Sequence, residues 1–533
     1  MRNLRSLIPI TERMRKLLPR TSTGRRGLCA LLLAPVLLTG VQACTDLDEN
    51  PTSAITPDKF YRTEAEILGG LASVYNSLRA PQWGYYNMSQ ITTPENIVPT
   101  RGSDWFDNGR WLEMHRHTWT ANSPMALDDI NGTYNDLFGG VARANVVLNA
   151  MEGVTVAGQD SITAELRTLR AFYYYLLMDM FGGVPLAEDI AVTPRERVSR
   201  DSLFRYIEAE LLAARENLPV TRPAADYGRV TKGAADAILA NMYLNAEVFT
   251  GTVTAAGLEK GAARWQDAID AADRVLNAGV YSLAANWKDN FSPNNESSPE
   301  MILVLRALAQ DGLGTNFLMR ATHYNQTTGP SAWNGFATLA ETYNAFDDAD
   351  LRKSIFLVGP QVNFTTGQPA LDRSGAQLVY TPEIADETQA TESEGARLVK
   401  FAPDPARVGE HSGNDFPYFR LAEMYLIKAE ALNELGQTGA AIDLVNQLRA
   451  RVFSPPKPLD AGAYTQATAR DAILQERLFE LAGEAKRRQD LIRHGKFTNP
   501  SEFKAQSEPY KILMPIPQTQ LNTNPLLVQN PGY

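Results

Sequence analysis

Apolar residues recur three and four positions apart through several long stretches of the chain, and each stretch ends on residues that stop a helix. From Ser161 to Phe181 the stripe runs through Leu166, Leu169, Tyr173, Leu176 and Met180, and Gly182, Gly183 and Pro185 follow. This pattern predicts a long helix with a buried face. From Tyr418 to Leu435 the stripe is Leu421, Met424, Tyr425, Leu432 and Leu435, with Gly436 placed for a left-handed cap. The same spacing predicts helices over Asp201–Asn217, Thr231–Phe249, Ala263–Leu276, Gly439–Arg451 and Ala469–Arg493. A short apolar run, Met301 to Leu305, predicts a strand.

Two of these segments resemble each other. Leu239-Ala240-Asn241-Met242-Tyr243-Leu244, followed by Ala246-Glu247, matches Leu421-Ala422-Glu423-Met424-Tyr425-Leu426, followed by Ala429-Glu430. Each is trailed by an Ala-Ile-Asp triplet, Ala268 to Asp270 and Ala441 to Asp443, and the first copy carries nine extra residues in its turn. Tyr418 to Arg451 spans 34 residues, the period of a tetratricopeptide helix pair. Small residues at the shared positions let paired helices cross closely. Such pairs bury their faces only by stacking, so a mostly α fold is expected, with tetratricopeptide-like pairs, loop-rich insertions and little strand.

The insertions are Ala80 to Ser123 and Asn286 to about Pro417, both long enough to be functional. Six of the seven tryptophans (Trp83, Trp105, Trp111, Trp119, Trp287 and Trp333) fall in them or at their edges, while Trp265 sits in a predicted helix. An indole offers a flat apolar face that stacks on the C–H face of a pyranose while polar neighbours bond its hydroxyls. The alternative is that loop aromatics are pins that pack irregular chain onto the scaffold. Trp83, Tyr85 and Tyr86, bunched around Gly84, are the foremost candidates for a ligand; Trp105, Trp111, Tyr324 and Trp333 complete the set.

The N-terminus changes the picture. Residues 1–27 carry eight Lys or Arg against one acid, and Leu28 to Leu38 form an apolar run too short to span a bilayer. Thr39-Gly40-Val41-Gln42-Ala43-Cys44 then resembles the lipobox of bacterial lipoproteins, whose cysteine carries lipid after cleavage. The alternative is a plain signal peptide with a chance cysteine, which must then fall there by accident. The expected organisation is a signal peptide over 1–43, a lipidated tether over 44–60 attached through Cys44, and one domain over 61–533. Cleavage removes Cys29 and excludes a disulfide, a cysteine-rich zinc site and a thiol nucleophile. It also takes the net charge from −10 to −17, so acyl chains rather than anionic lipid must hold the body at a membrane. Such acidity argues against a nucleic-acid partner.

Motifs for catalysis are few. The chain has no Gly-x-Ser-x-Gly elbow, no His-Glu-x-x-His and no phosphate-cradling glycine loop. His115 and His117 would share one side of a strand, a geometry for a metal clamp or for packing, but no third ligand stands at the usual spacing. Asp347-Asp348-Ala349-Asp350 lacks the glycine and terminal glutamate of a calcium loop and reads as a solvated helix end. No cofactor and no resident metal are expected. Three readings stay open on the residues: a binding module, a surface hydrolase whose carboxylate pair does not stand out, and a scaffold for another protein.

The chain resembles the SusD/RagB family of outer-membrane nutrient-binding lipoproteins. The resemblance rests on Arg170-Ala171-Phe172-Tyr173-Tyr174-Tyr175 with Phe181-Gly182-Gly183-Val184-Pro185; on Phe419-Arg420-Leu421-Ala422-Glu423-Met424-Tyr425 with Glu430; on Glu476-Arg477, Glu480, Arg488, Asp490 and Arg493; and on Met514-Pro515-Ile516-Pro517 through Asn530-Pro531-Gly532-Tyr533. It implies a right-handed superhelical scaffold of tetratricopeptide-like pairs and no catalytic residues. It further implies delivery of glycans or peptides to a TonB-dependent, SusC-like outer-membrane barrel. Only the location of the ligand site carries over, near Trp83 to Tyr86 and near Tyr324 to Trp333. The chain departs from the family at Asp128-Asp129-Ile130-Asn131, where many members carry a tryptophan ahead of the Tyr134 motif.

Overall fold

The computed structural model describes residues 60–533, so Cys44, the signal peptide and most of the tether lie outside the described residues. Helix α1 (Glu64–Asn76) starts on a capping box in which the Thr63 amide donates to the Glu66 carboxylate (2.9 Å) and the Glu66 amide to the Thr63 hydroxyl (3.3 Å). Two helices, α2 (Gly84–Ile91) and α3 (Arg110–Arg116), then interrupt the first stretch that the sequence reads as loop. The reason α2 escapes periodicity is that it has only eight residues and its polar ones, Asn87, Ser89 and Gln90, are buried with the apolar ones, so the sequence shows no two-faced stripe. Next come α4 (Asn131–Met151) and α5 (Gln159–Phe181). Gly182 and Gly183 end α5; a Cβ on Gly183 would lie 2.2 Å from the Val198 carbonyl. Ser199 caps α6 (Arg200–Arg215), its hydroxyl accepting from the Ser202 amide (3.0 Å), and α7 (Lys232–Leu244) follows.

The extra residues of the first repeat hold a small antiparallel hairpin, β1 (Thr252–Thr254) with β2 (Gly257–Glu259), ahead of α8 (Trp265–Leu276). The predicted strand exists as β3 (Met301–Leu305), and it pairs antiparallel with β4 (Phe416–Arg420), Met301 opposite Arg420 and Leu305 opposite Phe416. The second insertion, containing α9 (Phe317–Ala321), thus leaves and rejoins the scaffold through one buried strand pair. This pairing corrects the predicted helix start at Tyr418: α10 (Leu421–Glu434) begins only where β4 ends. Helix α11 (Thr438–Arg449) completes the second repeat.

The predicted helix Ala469–Arg493 is two, α12 (Gln466–Leu481) and α13 (Arg487–Arg493). The Lys400 ammonium takes the carbonyls of Glu480 and Ala482 (2.9 Å each), and Gly483 turns left-handed (φ +79°). Through the scaffold, α4 packs on α1 and α5, α5 on α6, α7 on α8, α8 on α10, and α10 on α11 and α12. Strands occur among the described residues only as two-stranded pairs. The fold is accordingly the mostly helical one expected.

The charges of the family-like motifs lie inside this stack. Glu480 receives Arg420 (2.7 Å), Arg451 (2.5 Å), Arg352 (3.1 Å) and the Trp287 indole (3.0 Å). Arg420 also reaches Glu484 (2.8 Å) and Glu300 (3.2 Å). Arg477 holds Asp490 (2.8 Å), Arg493 holds Glu430 (2.6 Å), and Arg488 crosses to Asp179 of α5 (3.0 Å). Burial pushes the Glu480 carboxyl up, but Arg451, Arg420 and Arg352 together hold it well below the usual carboxylate range.

Two sequence readings change here. His115 ends α3 rather than lying on a strand, and His117 follows it in the left-handed region (φ +57°). Both imidazoles are buried and doubly bonded: His115 to the carbonyls of Ile91 (3.2 Å) and Glu502 (2.9 Å), His117 to Ser507 (3.0 Å) and the Thr92 carbonyl (2.8 Å). Burial lowers the pKa of each. Asp350 is not solvated; it is buried against Arg352 (2.7 Å) and caps the short turn of helix that follows, while Asp348 stays exposed beside Lys353.

Candidate binding site

Four of the seven candidate aromatics meet in one cluster, although they come from three separate parts of the chain. Trp83 begins α2, Trp105 lies in the loop before α3, Trp111 is on α3, and Trp333 sits in the loop after α9. Their rings meet edge to face: Trp83 with Trp111 (6.3 Å between centroids) and Trp333 (6.4 Å), and Trp105 with Trp111 (5.6 Å) and Phe336 (6.0 Å). Trp111 is fully buried and supports Trp83 and Trp105, and Trp333 packs on Trp83; these three are partly open. Trp105 lies flat against Gly335, where a Cβ would come within 2.4 Å of the indole, so only glycine leaves room for the ring.

Each of three indole N–H groups is anchored. Trp105 donates to the Trp333 carbonyl (2.9 Å), Trp111 to Asp107 (2.7 Å) and Trp333 to Glu410 (3.2 Å). Beneath Trp83 is Arg320 of α9, a buried cation with no carboxylate partner among the described residues. Its guanidinium faces Trp83 (4.7 Å), Phe317 (4.9 Å) and Tyr86 (5.5 Å), and it donates to the Gln82 carbonyl (2.9 Å), Asn87 (3.2 Å) and Asn316 (2.8 Å). Burial lowers its pKa to about 10, so it remains charged at neutral pH. The Trp333 loop folds back on the same helix, with the amides of Gly335 and Phe336 bonded to the Arg320 carbonyl (3.0 and 2.9 Å). One arginine therefore ties the loop at Trp83 to the loop at Trp333.

Acids border the cluster. Arg110 lies over Trp111 (4.4 Å) and is gripped by Asp128, by Asp129 (3.6 Å) and by Asp107 (3.7 Å). Burial pushes the Asp129 carboxyl up to about 6 against the pull of Arg110. Tyr324 joins through Asp104, to which its hydroxyl donates (2.6 Å); Arg373 reaches the same carboxylate (2.8 Å) and stacks on the Tyr324 ring (4.2 Å). Burial and Asp104 push the Tyr324 phenol up to about 12.

Tyr85 and Tyr86 point elsewhere. Tyr85 is buried and donates to Asp179 (3.2 Å), and Tyr86 is buried against Phe317 and Phe416 (4.8 and 5.8 Å), so both pack the scaffold. Trp119 and Trp287 are pins as well, fully buried and bonded to Tyr533 (2.7 Å) and Glu480. The sequence reading passed over Phe106 and Leu127, which are 57% and 61% exposed beside the cluster's Trp105 and its Asp128. Phe106 directly follows Trp105, and that adjacency was the available signal. Flat apolar faces flanked by carboxylates suit stacking on a sugar ring and accepting hydrogen bonds from its hydroxyls.

The comparisons with known proteins agree with this architecture. A family model described as "SusD family" matches residues 266–533, and one described as "Starch-binding associating with outer membrane" matches residues 47–244. A SusD-like protein of Formosa agariphila is 26% identical over 91% of this chain and 96% of its own length. The starch-binding protein SusD of Bacteroides thetaiotaomicron is 25% identical over 95% and 99%. Among solved structures, a laminarin-binding SusD-like protein superposes with a TM-score of 0.70 at 24% identity, covering 89% of this chain and all of its own. Surface glycan-binding protein A of Bacteroides thetaiotaomicron in complex with laminarihexaose gives a TM-score of 0.68 at 21% identity, covering 88% and 99%. With half of its length matched by the one family model and residues 47–244 by the other, the chain belongs to the SusD family.

Proposed function

We propose that this protein binds a glycan at the cell surface on the cluster of Trp83, Trp105 and Trp333, without cleaving it, and passes it to a TonB-dependent, SusC-like outer-membrane barrel. The observation that carries the reading is the convergence of partly open indoles from separate loops in one cluster, Trp83 and Trp105 on the buried Trp111 and Trp333 on Trp83, with carboxylates at the rim. Packing alone does not require three indoles at a surface. The names of its relatives, starch-binding and laminarin-binding among them, support a glycan as the ligand class, and a family description that includes the outer membrane supports the location. Cys44 supplies the anchor in this reading.

Affinity electrophoresis in gels containing starch or laminarin tests the proposal, with reducing ends assayed in parallel. Retardation without new reducing ends is the expected result. New reducing ends identify a hydrolase, and the absence of retardation across neutral and charged glycans overturns the glycan reading in favour of a peptide or protein ligand. Trp83→Ala is expected to weaken retention about tenfold, about 1.4 kcal/mol. Unchanged retention with a lowered Tm would make Trp83 a packing pin. Cys44→Ala is expected to move the protein from the membrane fraction to the soluble one; retention in membranes would refute the lipid anchor.

A further inference from the structure

A cavity of about 470 Å³, sharing no lining residue with the tryptophan cluster, opens between α1 and β3. Leu68 and Leu71 of α1 and Val304 and Leu305 of β3 give it aliphatic walls, and the turn from Ala225 to Arg229, which brings Asp226 to the lining, forms another side. The volume lies within the range of small-molecule sites.

Two guanidiniums at this cavity have no carboxylate within ion-pair distance among the described residues. Arg79 donates to Asn76 (3.2 Å) and to the Arg306 carbonyl (2.8 Å), both neutral acceptors. Arg306 is exposed and lays its side-chain stem along Gly228, whose left-handed backbone (φ +87°) brings the turn against it. Among the described residues neither is ion-paired with a carboxylate. Arg229 beside them is already engaged by Glu165 (2.5 Å) and Asp226 (3.0 Å). Asp415, whose field both guanidiniums feel, is buried; one oxygen accepts from the Ala307 amide (2.7 Å), the other has no hydrogen-bond partner, and neither guanidinium lies within ion-pair distance of it. Two guanidiniums free of direct ion pairs beside an apolar cavity are complementary to an anion with an apolar body.

We propose that this cavity binds a carboxylate amphiphile, its hydrocarbon part against Leu68, Leu71, Val304 and Leu305 and its carboxylate on Arg79 and Arg306. Guanidinium forks match a carboxylate in plane and spacing, and the aliphatic walls exclude water from the remainder. The site is independent of the glycan reading.

Equilibrium dialysis of the full chain against dodecanoate, with dodecyltrimethylammonium as the cation of like tail, tests it. Saturable binding of one dodecanoate per chain is expected, with the ammonium at least about tenfold weaker. Dodecanoate binding should fall at least about tenfold in R79Q/R306Q and about threefold in R306Q alone, the latter with an unchanged Tm because Arg306 is exposed. Absence of saturable binding, equal affinity for the two head groups, or undiminished binding by R79Q/R306Q would each overturn the proposal. Glycan retention should be the same in both variants as in the parent.

Discussion

Glu480→Ala should lower the free energy of unfolding by about 3–5 kcal/mol, the largest loss expected from a single substitution in this protein. The carboxylate is buried and answers three guanidiniums at once, those of Arg420, Arg451 and Arg352, besides the Trp287 indole. Removing it leaves three buried cations competing for Glu484, Glu300, Glu476 and Asp350 and strands an indole N–H. Denaturant unfolding followed by far-ultraviolet circular dichroism measures the loss; a change under about 1 kcal/mol would mean that the remaining acids already balance the arginines. The acid limb gives a second check. The Glu480 carboxyl titrates lower in the folded chain than in the unfolded one, so its contribution is complete above the unfolded carboxylate range and disappears as pH falls toward the folded value. The difference in stability between parent and Glu480→Ala should therefore shrink progressively below about pH 4.5.

Arg320→Ala should weaken glycan retention more than any single tryptophan change, by well over about tenfold, and cost about 2–3 kcal/mol of stability. Its guanidinium is the common partner of Trp83, Phe317 and Tyr86 and of acceptors on Gln82, Asn87 and Asn316. Without it the acceptors on Gln82 and Asn87 are buried unpaired and the loop bearing Trp83 loses its tie to α9, while the main-chain bonds from Gly335 and Phe336 to the residue 320 carbonyl remain. Arg320→Lys separates the two effects. An ammonium keeps the charge but cannot reach three diverging acceptors in the plane of a fork, so much of the Tm should return while retention stays weak. Full recovery of both by lysine would show that charge alone, and not the positioning of the indoles, is what Arg320 supplies.

What the sequence disclosed, and what it hid, follows from where each cause resides. Helices α5 and α10 were legible because one face of each repeats every three or four residues. The repeat was legible because close crossing demands small residues at fixed places. Helix α2 was hidden because it is two turns long and mixes buried polar with buried apolar residues, which leaves no stripe to read. The break between α12 and α13 was hidden because its cause, Lys400, lies some eighty positions away and takes the carbonyls that would have continued the helix. At the candidate site, residue type pointed to the tryptophans, but only three dimensions separate Trp83, Trp105 and Trp333 from the buried Trp111, Tyr85 and Tyr86. Arg320 left no mark in the sequence at all, being one arginine among many until the fold surrounds it with rings. The charged residues that carry the family resemblance, Arg420, Glu480, Arg488 and Arg493, prove to be interior ion pairs. They identify the family by holding its scaffold, and for that reason they say nothing of its ligand.

The strand pair of β3 and β4 gives this division of labour a physical basis. Because Met301 faces Arg420 and Leu305 faces Phe416, the ends of the long insertion are fixed side by side whatever lies between them. Closing such a loop costs entropy that grows only with the logarithm of its length, about 0.6 kcal/mol for each doubling. A lineage can therefore lengthen, shorten or rewrite the segment that carries Trp333 for little more than the entropy of the added chain, while the helices outside the neck keep their register. The frame can thus stay fixed while the insertion changes, and a relative named for starch and a structural neighbour named for laminarin, each about a quarter identical to this chain, match it over about nine-tenths of its length.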